Sequence, residues 1–155
     1  MNGPILTFES GTGWYGLHAG DILEVAPLQR VRPVPRAPGI VAGLAEVHGR
    51  VVTLIDLDRL LESGSPVAAV RALGVVLAPP RDHLGLLVRS EVDVSQGQQS
   101  TGVDDPGDRT GLLHGQLLVG DRLLNLLSLP GLVARVEEAI REGFVPGPSE
   151  PGGEA

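Results

Sequence analysis

Apolar residues in this chain fall in short runs that stop at Gly, Pro or a charged residue, and over most of its length no stripe of helical period emerges. From Pro4 to Ala78 these runs are rich in Val, Ile and Leu, the pattern of strands in a small barrel or sandwich. Strands are predicted over Ile5–Glu9, Trp14–His18, Ile22–Ala26, Leu44–Val47 and Val51–Ile55, with a turn or short helix opening at Pro38-Gly39 and a brief helical segment over Leu57–Glu62. A second set follows over Leu73–Ala78, Leu84–Val88, Glu91–Val94, Leu112–Leu118 and Arg122–Leu127. The period changes only after Pro130. Leu132, Val133, Val136 and Ile140 then share one stripe, Glu137 and Arg141 stand four apart, and Gly143 is a stop, which predicts a helix over 130–142.

The two sets match residue by residue. A shift of 69 lays Leu6, Phe8, Gly16, Leu17 and Val25 onto Val75, Leu77, Gly85, Leu86 and Val94. A shift of 72 lays Gly43, Val47, Arg50, Val51 and Leu54 onto Gly115, Val119, Arg122, Leu123 and Leu126. Glycine and arginine positions match along with the apolar ones, so the sequence reads as a duplicated half of five strands with loop-length drift between the copies. Size argues the same way: a half of roughly 70 residues would bury a marginal core, and two packed together bury more. Each half has a two-residue hairpin turn at the same place, His48-Gly49 and Gly120-Asp121, where glycine supplies positive φ at little cost. The expected organisation is one domain over 1–145, with a first subdomain at 4–62, a second at 73–129 plus the helix, a Ser63-Gly-Ser-Pro66 linker, a long exposed loop over Gln96–Gly111 and a disordered tail over 146–155.

Composition narrows the function. The 155 residues suffice for one compact body, and Gly 22 with Pro 13 fits short elements joined by many turns. Twelve basic residues against nineteen acidic give a net charge of -7, which disfavours nucleic acid or any partner recognised through its phosphates. All twelve are arginine, and Arg30, Arg32 and Arg36 are interrupted by prolines rather than clustered. The absence of cysteine removes thiolate metal sites and thiol nucleophiles. With no signal-peptide pattern at Met1–Thr7 and no apolar run long enough to span a bilayer, the chain is expected in the cytoplasm, without direct membrane insertion.

Chemical motifs are few. Gly11-Thr-Gly13-Trp-Tyr-Gly16 has the spacing of a dinucleotide loop, but that loop needs a helix N-terminus beneath the pyrophosphate, and Trp14–Leu17 reads as a strand. Trp14 and Tyr15 should alternate across it, one toward core and one toward a barrel end. His18, His48, His83 and His114 have no metal-ligand spacing, and Asp104, Asp105 and Asp108 lack that of a calcium loop. No nucleophile elbow or phosphate-binding loop is present. No catalytic residue, metal or cofactor is therefore expected.

The stretch Gly43-Leu-Ala-Glu-Val-His-Gly-Arg-Val-Val-Thr-Leu-Ile-Asp-Leu57 resembles the central signature of CheW-like domains: a glycine, a short strand, Leu-Arg-Gly, then an apolar strand ending Ile-Asp-Leu. Val34-Pro35 through Pro38 is similar to the approach to that signature, and Ile22-Leu23-Glu24-Val25 resembles the family's third strand. Gly74–Val94 resembles the strands that open its second subdomain, and Leu117–Leu127 its closing hairpin. The resemblance implies an all-β fold with a C-terminal helix, built as two small five-stranded SH3-like β-barrels. It also implies a non-catalytic adaptor that couples a chemoreceptor's cytoplasmic tip to the regulatory domain of a CheA-type histidine kinase, with other CheW-like proteins as further partners. Three positions depart from the family: His48 stands for the usual Arg, Pro27 where an acidic residue often follows the third strand, and Thr53 where proline is common. His48 cannot offer the permanently charged fork of arginine.

On this reading Val25, His48, Gly49, Arg50 and Val51 form a receptor-side groove, and Leu117, Val119 and Arg122 a partner-barrel face. The alternative is a divergent CheW-like interaction module in a motility, polarity or other cytoplasmic complex without kinase coupling. A small enzyme or ligand sensor using the cleft and His48 is a third class.

Overall fold

In the computed structural model, residues 3–62, 72–96 and 111–143 are described. The expected linker at 63–66, the acids of the 96–111 loop and the tail from 146 lie outside them. The first half supplies β1 (Pro4–Ser10), β2 (Gly13–His18), β3 (Ile22–Pro27), β4 (Val41–Val47) and β5 (Arg50–Asp56), followed by a short helix α1 (Leu57–Leu61). The second supplies β6 (Leu73–Leu77), β7 (Leu84–Val88), β8 (Asp93–Gln96), β9 (Leu113–Val119) and β10 (Arg122–Leu127), then helix α2 (Leu129–Gly143). Every strand anticipated from the pattern is present; β4 begins three residues early and the third strand of the second half starts two residues late. The expected fold class holds: two five-stranded β units of SH3-like form and a C-terminal helix.

The pairing corrects the expected subdomains. One sheet has the order β8-β1-β2-β10-β9 and the other β3-β6-β7-β5-β4, so neither 4–62 nor 73–129 forms a sheet of its own. Each half gives its first hairpin to one sheet and its last three strands to the other. Relabelling each strand by its counterpart in the other half converts one order into the other. The register obeys the same rule: Leu6 faces Leu17 and Leu126 faces Gly16, while Val75 faces Leu86 and Leu54 faces Gly85. Because both halves carry one pattern of apolar positions, pairing within a half and pairing across halves satisfy it equally, and pattern alone cannot choose between them.

The exchange is held by two parallel contacts, β2 with β10 and β5 with β7, which join strands distant in sequence. Gly16 and Gly85 sit at equivalent places in these contacts. A Cβ at Gly16 would lie 2.7 Å from Ile5 Cγ2, and one at Gly85 3.0 Å from Val52 Cγ1. The main core fills the space between the sheets, where Leu6, Phe8 and Leu17 of one meet Ile55, Val75 and Leu86 of the other, with Leu57, Leu60, Leu132 and Val136 of the helices closing it. Each such aliphatic side chain, fully buried, contributes about 1.5–3 kcal/mol. A second cluster, including Ala26, Ala45, Val47, Val52 and Leu54, lies within the second sheet.

Both helices start in the same way. Asp56 accepts a hydrogen bond from the Arg59 N–H and its own N–H donates to Ile40 O; Ser128, its counterpart, accepts from the Gly131 N–H and donates to Leu112 O. An N-cap of this kind is worth about 1 kcal/mol. On α2, Leu132, Val133 and Val136 are buried as the stripe requires, whereas Ile140 stands 38% exposed in the last turns.

Candidate functional site

The β4–β5 hairpin pairs Val47 with Arg50 and leaves His48 and Gly49 as the turn, with φ of 50° and 80°. Positive φ at both residues matches the right-handed twist of the flanking strands, and histidine is among the side chains enriched there. The His48 ring reaches across to β3, where its Nδ1 lies 2.5 Å from Glu24 Oε1; the histidine side chain is 73% exposed. Arg50 turns the other way and pairs with Asp82 in the β6–β7 connection. Val51, the second residue of β5, is 65% exposed, and Val25 on β3 is at the border of exposure.

Beside this tip a groove of about 680 Å³ separates β3 and its continuation, residues 26–30 and Arg32, from β4, residues 44–48 with Val51. Of the five residues expected in a groove, His48 and Val51 line it; Val25, Gly49 and Arg50 flank the tip outside it. Arg30 and Arg32 line it without having been singled out, because prolines interrupt their stretch and no spacing marks them. Arg32 is fixed to the edge of β4 by reciprocal backbone bonds with Leu44, each 2.8 Å. Gly43 permits this approach, since a Cβ there would lie 2.3 Å from Arg32 O.

The equivalent hairpin, β9–β10, has different chemistry. Gly120 has φ 64° and Asp121 is not in the positive region. The Arg122 guanidinium lies 3.7 Å from the centroid of the Trp14 ring, a cation–π stack on an aromatic from the neighbouring strand. Trp14 thus ends at the barrel tip and Tyr15 packs against the main core, the alternation expected of that strand. Leu117 and Val119 are half-buried, while Leu118 and Leu123, directly opposite each other, are 44% and 46% exposed. Alternation puts Leu118 on the face opposite its two neighbours, and the run Leu117–Val119 gave no sign of which face would be left uncovered.

At the junction of the two sheets lies a buried charge cluster that sequence spacing did not reveal. Arg89, at the end of β7, donates to Asp56 through both terminal nitrogens, at 2.7 and 2.8 Å, and to Asp58 at 3.2 Å. Ser10 of β1 donates to Asp58 at 2.6 Å. Burial by itself would raise the Asp56 carboxyl, but the Arg89 hydrogen bonds and charge, with help from Arg59, outweigh it and hold Asp56 below the usual carboxylate range. The Asp56 bond in turn raises Arg89 above its ordinary value despite partial burial. The cluster clamps the end of β1 and the β5–α1 junction to the end of β7.

The pattern of two unlike tips on one duplicated frame can be compared with known proteins. The CheW-like domain family matches residues 4–137. The chain belongs to the CheW-like domain family. Its similarity to the chemotaxis protein CheW of Treponema pallidum (strain Nichols) is 27% identity over 146 residues, covering 86% of this chain and 83% of that one. In fold it is similar to the crystal structure of the scaffolding protein TtCheW from Thermoanaerobacter tengcongensis, with a TM-score of 0.69 and 20% identity over 83% of this chain and 90% of that one. Membership puts this CheW-like chain with the scaffold proteins of chemotaxis signalling. The Leu-Arg-Gly position of the CheW-like signature is here the turn Val47-His48-Gly49, and the Ile-Asp-Leu that ends it carries the Asp56 clamp. Among the described residues of this CheW-like domain, no group of three or more His, Cys, Asp or Glu side chains is placed to hold a metal ion, and no helix is long and apolar enough to cross a membrane. His18 and His114, far apart in sequence, do meet edge to face with ring centroids 6.5 Å apart.

Proposed function

We propose that this chain is a non-catalytic adaptor that couples a chemoreceptor's cytoplasmic tip to the regulatory domain of a CheA-type histidine kinase in a bacterial chemosensory pathway, acting in the cytoplasm. The observation that carries this reading is the pair of equivalent hairpin tips with unlike surfaces. The His48-Gly49 tip is polar, with Glu24 and Arg50 beside it and Val25 and Val51 exposed. Below the Gly120-Asp121 turn the second hairpin instead carries an exposed apolar pair, Leu118 and Leu123, beside the Arg122–Trp14 stack. A frame that repeats its backbone and varies its tips suits two different partners held at once.

In this reading Val25, His48, Gly49, Arg50 and Val51 meet the receptor, and Leu117, Val119 and Arg122 meet the kinase domain or another CheW-like protein. The mechanism is geometric. Once one partner is bound, the second encounter is effectively intramolecular, at local concentrations of order mM, with no new chemistry. Affinity capture from native extract tests it: the chain should recover both a chemoreceptor and a histidine kinase. Changing His48 and Arg50 together to Ala should lose the receptor and keep the kinase. Retention of both partners would remove the receptor assignment, and recovery of a motility or polarity complex with neither would favour an interaction module without kinase coupling.

A further inference from the structure

The groove between β3 and β4 is bordered by a strand edge with open hydrogen-bonding positions. The two-residue hairpin makes Val47 and Arg50 a hydrogen-bonded pair, so by alternation Ala45 bonds to Val52 while the N–H and C=O of Leu44 and Glu46 point outward. Leu44 has its outward partner in Arg32. Glu46, one step further along the same edge, has no outward backbone partner among the described residues, and the chain from residue 30 back to 26 diverges from it to form the opposite wall. The floor is apolar, with Leu28, Ala45 and Val47 contributing. Arg30 and Arg32 stand exposed on the wall, and among the described residues their guanidinium groups have no acidic partner.

We infer that this groove takes an extended acidic peptide from a partner protein, added as a strand to the β4 edge at Glu46, with alternate acidic side chains against Arg30 and Arg32 and the intervening apolar ones on the groove floor. Two independent features converge on that occupant. The outward N–H and C=O of Glu46, next in the ladder that Arg32 and Leu44 begin, offer main-chain bonds to any extended segment, which gives affinity without sequence demand. The two unpaired arginines supply the selection, and they do so against the field of a chain whose net charge is -7, which by itself would draw basic ligands. The inference goes beyond the coupling of receptor to kinase: failure of the peptide to bind leaves the capture result untouched, and the reverse also holds.

The test uses the full chain and two blocked hexapeptides, one of alternating Val and Asp, the other with Lys for every Asp. The Asp peptide should bind at least about tenfold more tightly than the Lys peptide, and doubling as Arg30→Glu with Arg32→Glu should erase the difference. Amide exchange followed by NMR should show the Glu46 N–H protected by the Asp peptide alone. Glu46→Pro should abolish binding, since it removes the outward N–H yet breaks no bond to β5, whereas Glu46→Ala keeps the N–H and should bind as well as the native chain. Unchanged exchange at Glu46 in the presence of millimolar Asp peptide, equal affinity for both peptides, or full binding by a folded Glu46→Pro chain would each overturn the inference.

Discussion

At the scale of single residues, Arg89 is the cation that ties two buried carboxylates together. It pairs with two carboxylates that are 4% and 5% exposed, and its removal takes from both a hydrogen-bonded guanidinium, leaving Asp56 only the looser contact with Arg59 at 3.7 Å. Arg89→Met should therefore cost several kcal/mol at neutral pH, toward the roughly 3–5 kcal/mol of breaking a buried pair from one side, because most of the compensation for two buried carboxylates is lost. The pH dependence follows from the direction of the Asp56 shift. A carboxyl held below its unfolded value binds fewer protons in the native state, so its contribution is complete above the unfolded carboxylate pKa and is lost as pH falls through the native one. In Arg89→Met, burial of Asp56 is opposed only by Arg59 and its carboxyl moves up, so acid unfolding should begin at a higher pH than in the native chain. Circular dichroism across a pH series checks this; an unchanged acid midpoint would show that Asp56 owes nothing to Arg89. Spacing could not reveal this cluster, because Arg89 lies 33 residues from Asp56 and outside the Ile-Asp-Leu signature that holds it. His48 was legible for the opposite reason: a glycine-containing turn between two apolar strands fixes its position, and only its partner, Glu24, had to come from the fold.

At the scale of elements, strand positions were written in the chain and strand partners were not. Alternating and continuous apolar runs, punctuated by Gly and Pro, located β1 to β10, and the matched offsets exposed the duplication. The exchange of strands between halves was invisible, because two copies of one pattern accept either partner. It has a direct consequence for folding. A fragment ending in the 63–71 stretch holds β1 to β5 but lacks β6 and β7, which sit in the middle of the second sheet, and it lacks every partner that flanks the β1–β2 hairpin. Such a fragment, and its complement from there to residue 155, should each lack a cooperative thermal transition when alone. Mixed at equal concentration, they should regain strand signal and a single transition. Cooperative unfolding by either fragment by itself would mean that a half can complete its own sheet. The same exchange explains the placement of the outer groove: β3 and β4 are both sheet edges, one from each end of the order, and the loop between them must span the opening.

At the scale of the whole molecule, the duplication sets what the chain can do. Two interleaved sheets share one core, so the separation and relative orientation of the two hairpin tips are fixed by packing rather than by a linker. A rigid frame of that kind preserves a geometry between partners, which is what a scaffold needs. The β9–β10 surface shows how far sequence went: Arg122 was legible from its match to Arg50, but its Trp14 stack and the exposed Leu118–Leu123 pair depended on which face the second sheet covered.

The central claim, that one copy of this chain holds receptor and kinase together, has a quantitative signature. Kinase sedimenting with receptor-bearing membranes should be measured as the chain is titrated in. Bridging by a bivalent adaptor predicts a rise in recovered kinase followed by a fall, as excess chain occupies receptor and kinase separately. Kinase recovery that does not depend on the chain, or that climbs to a plateau and stays there at large excess, would contradict it.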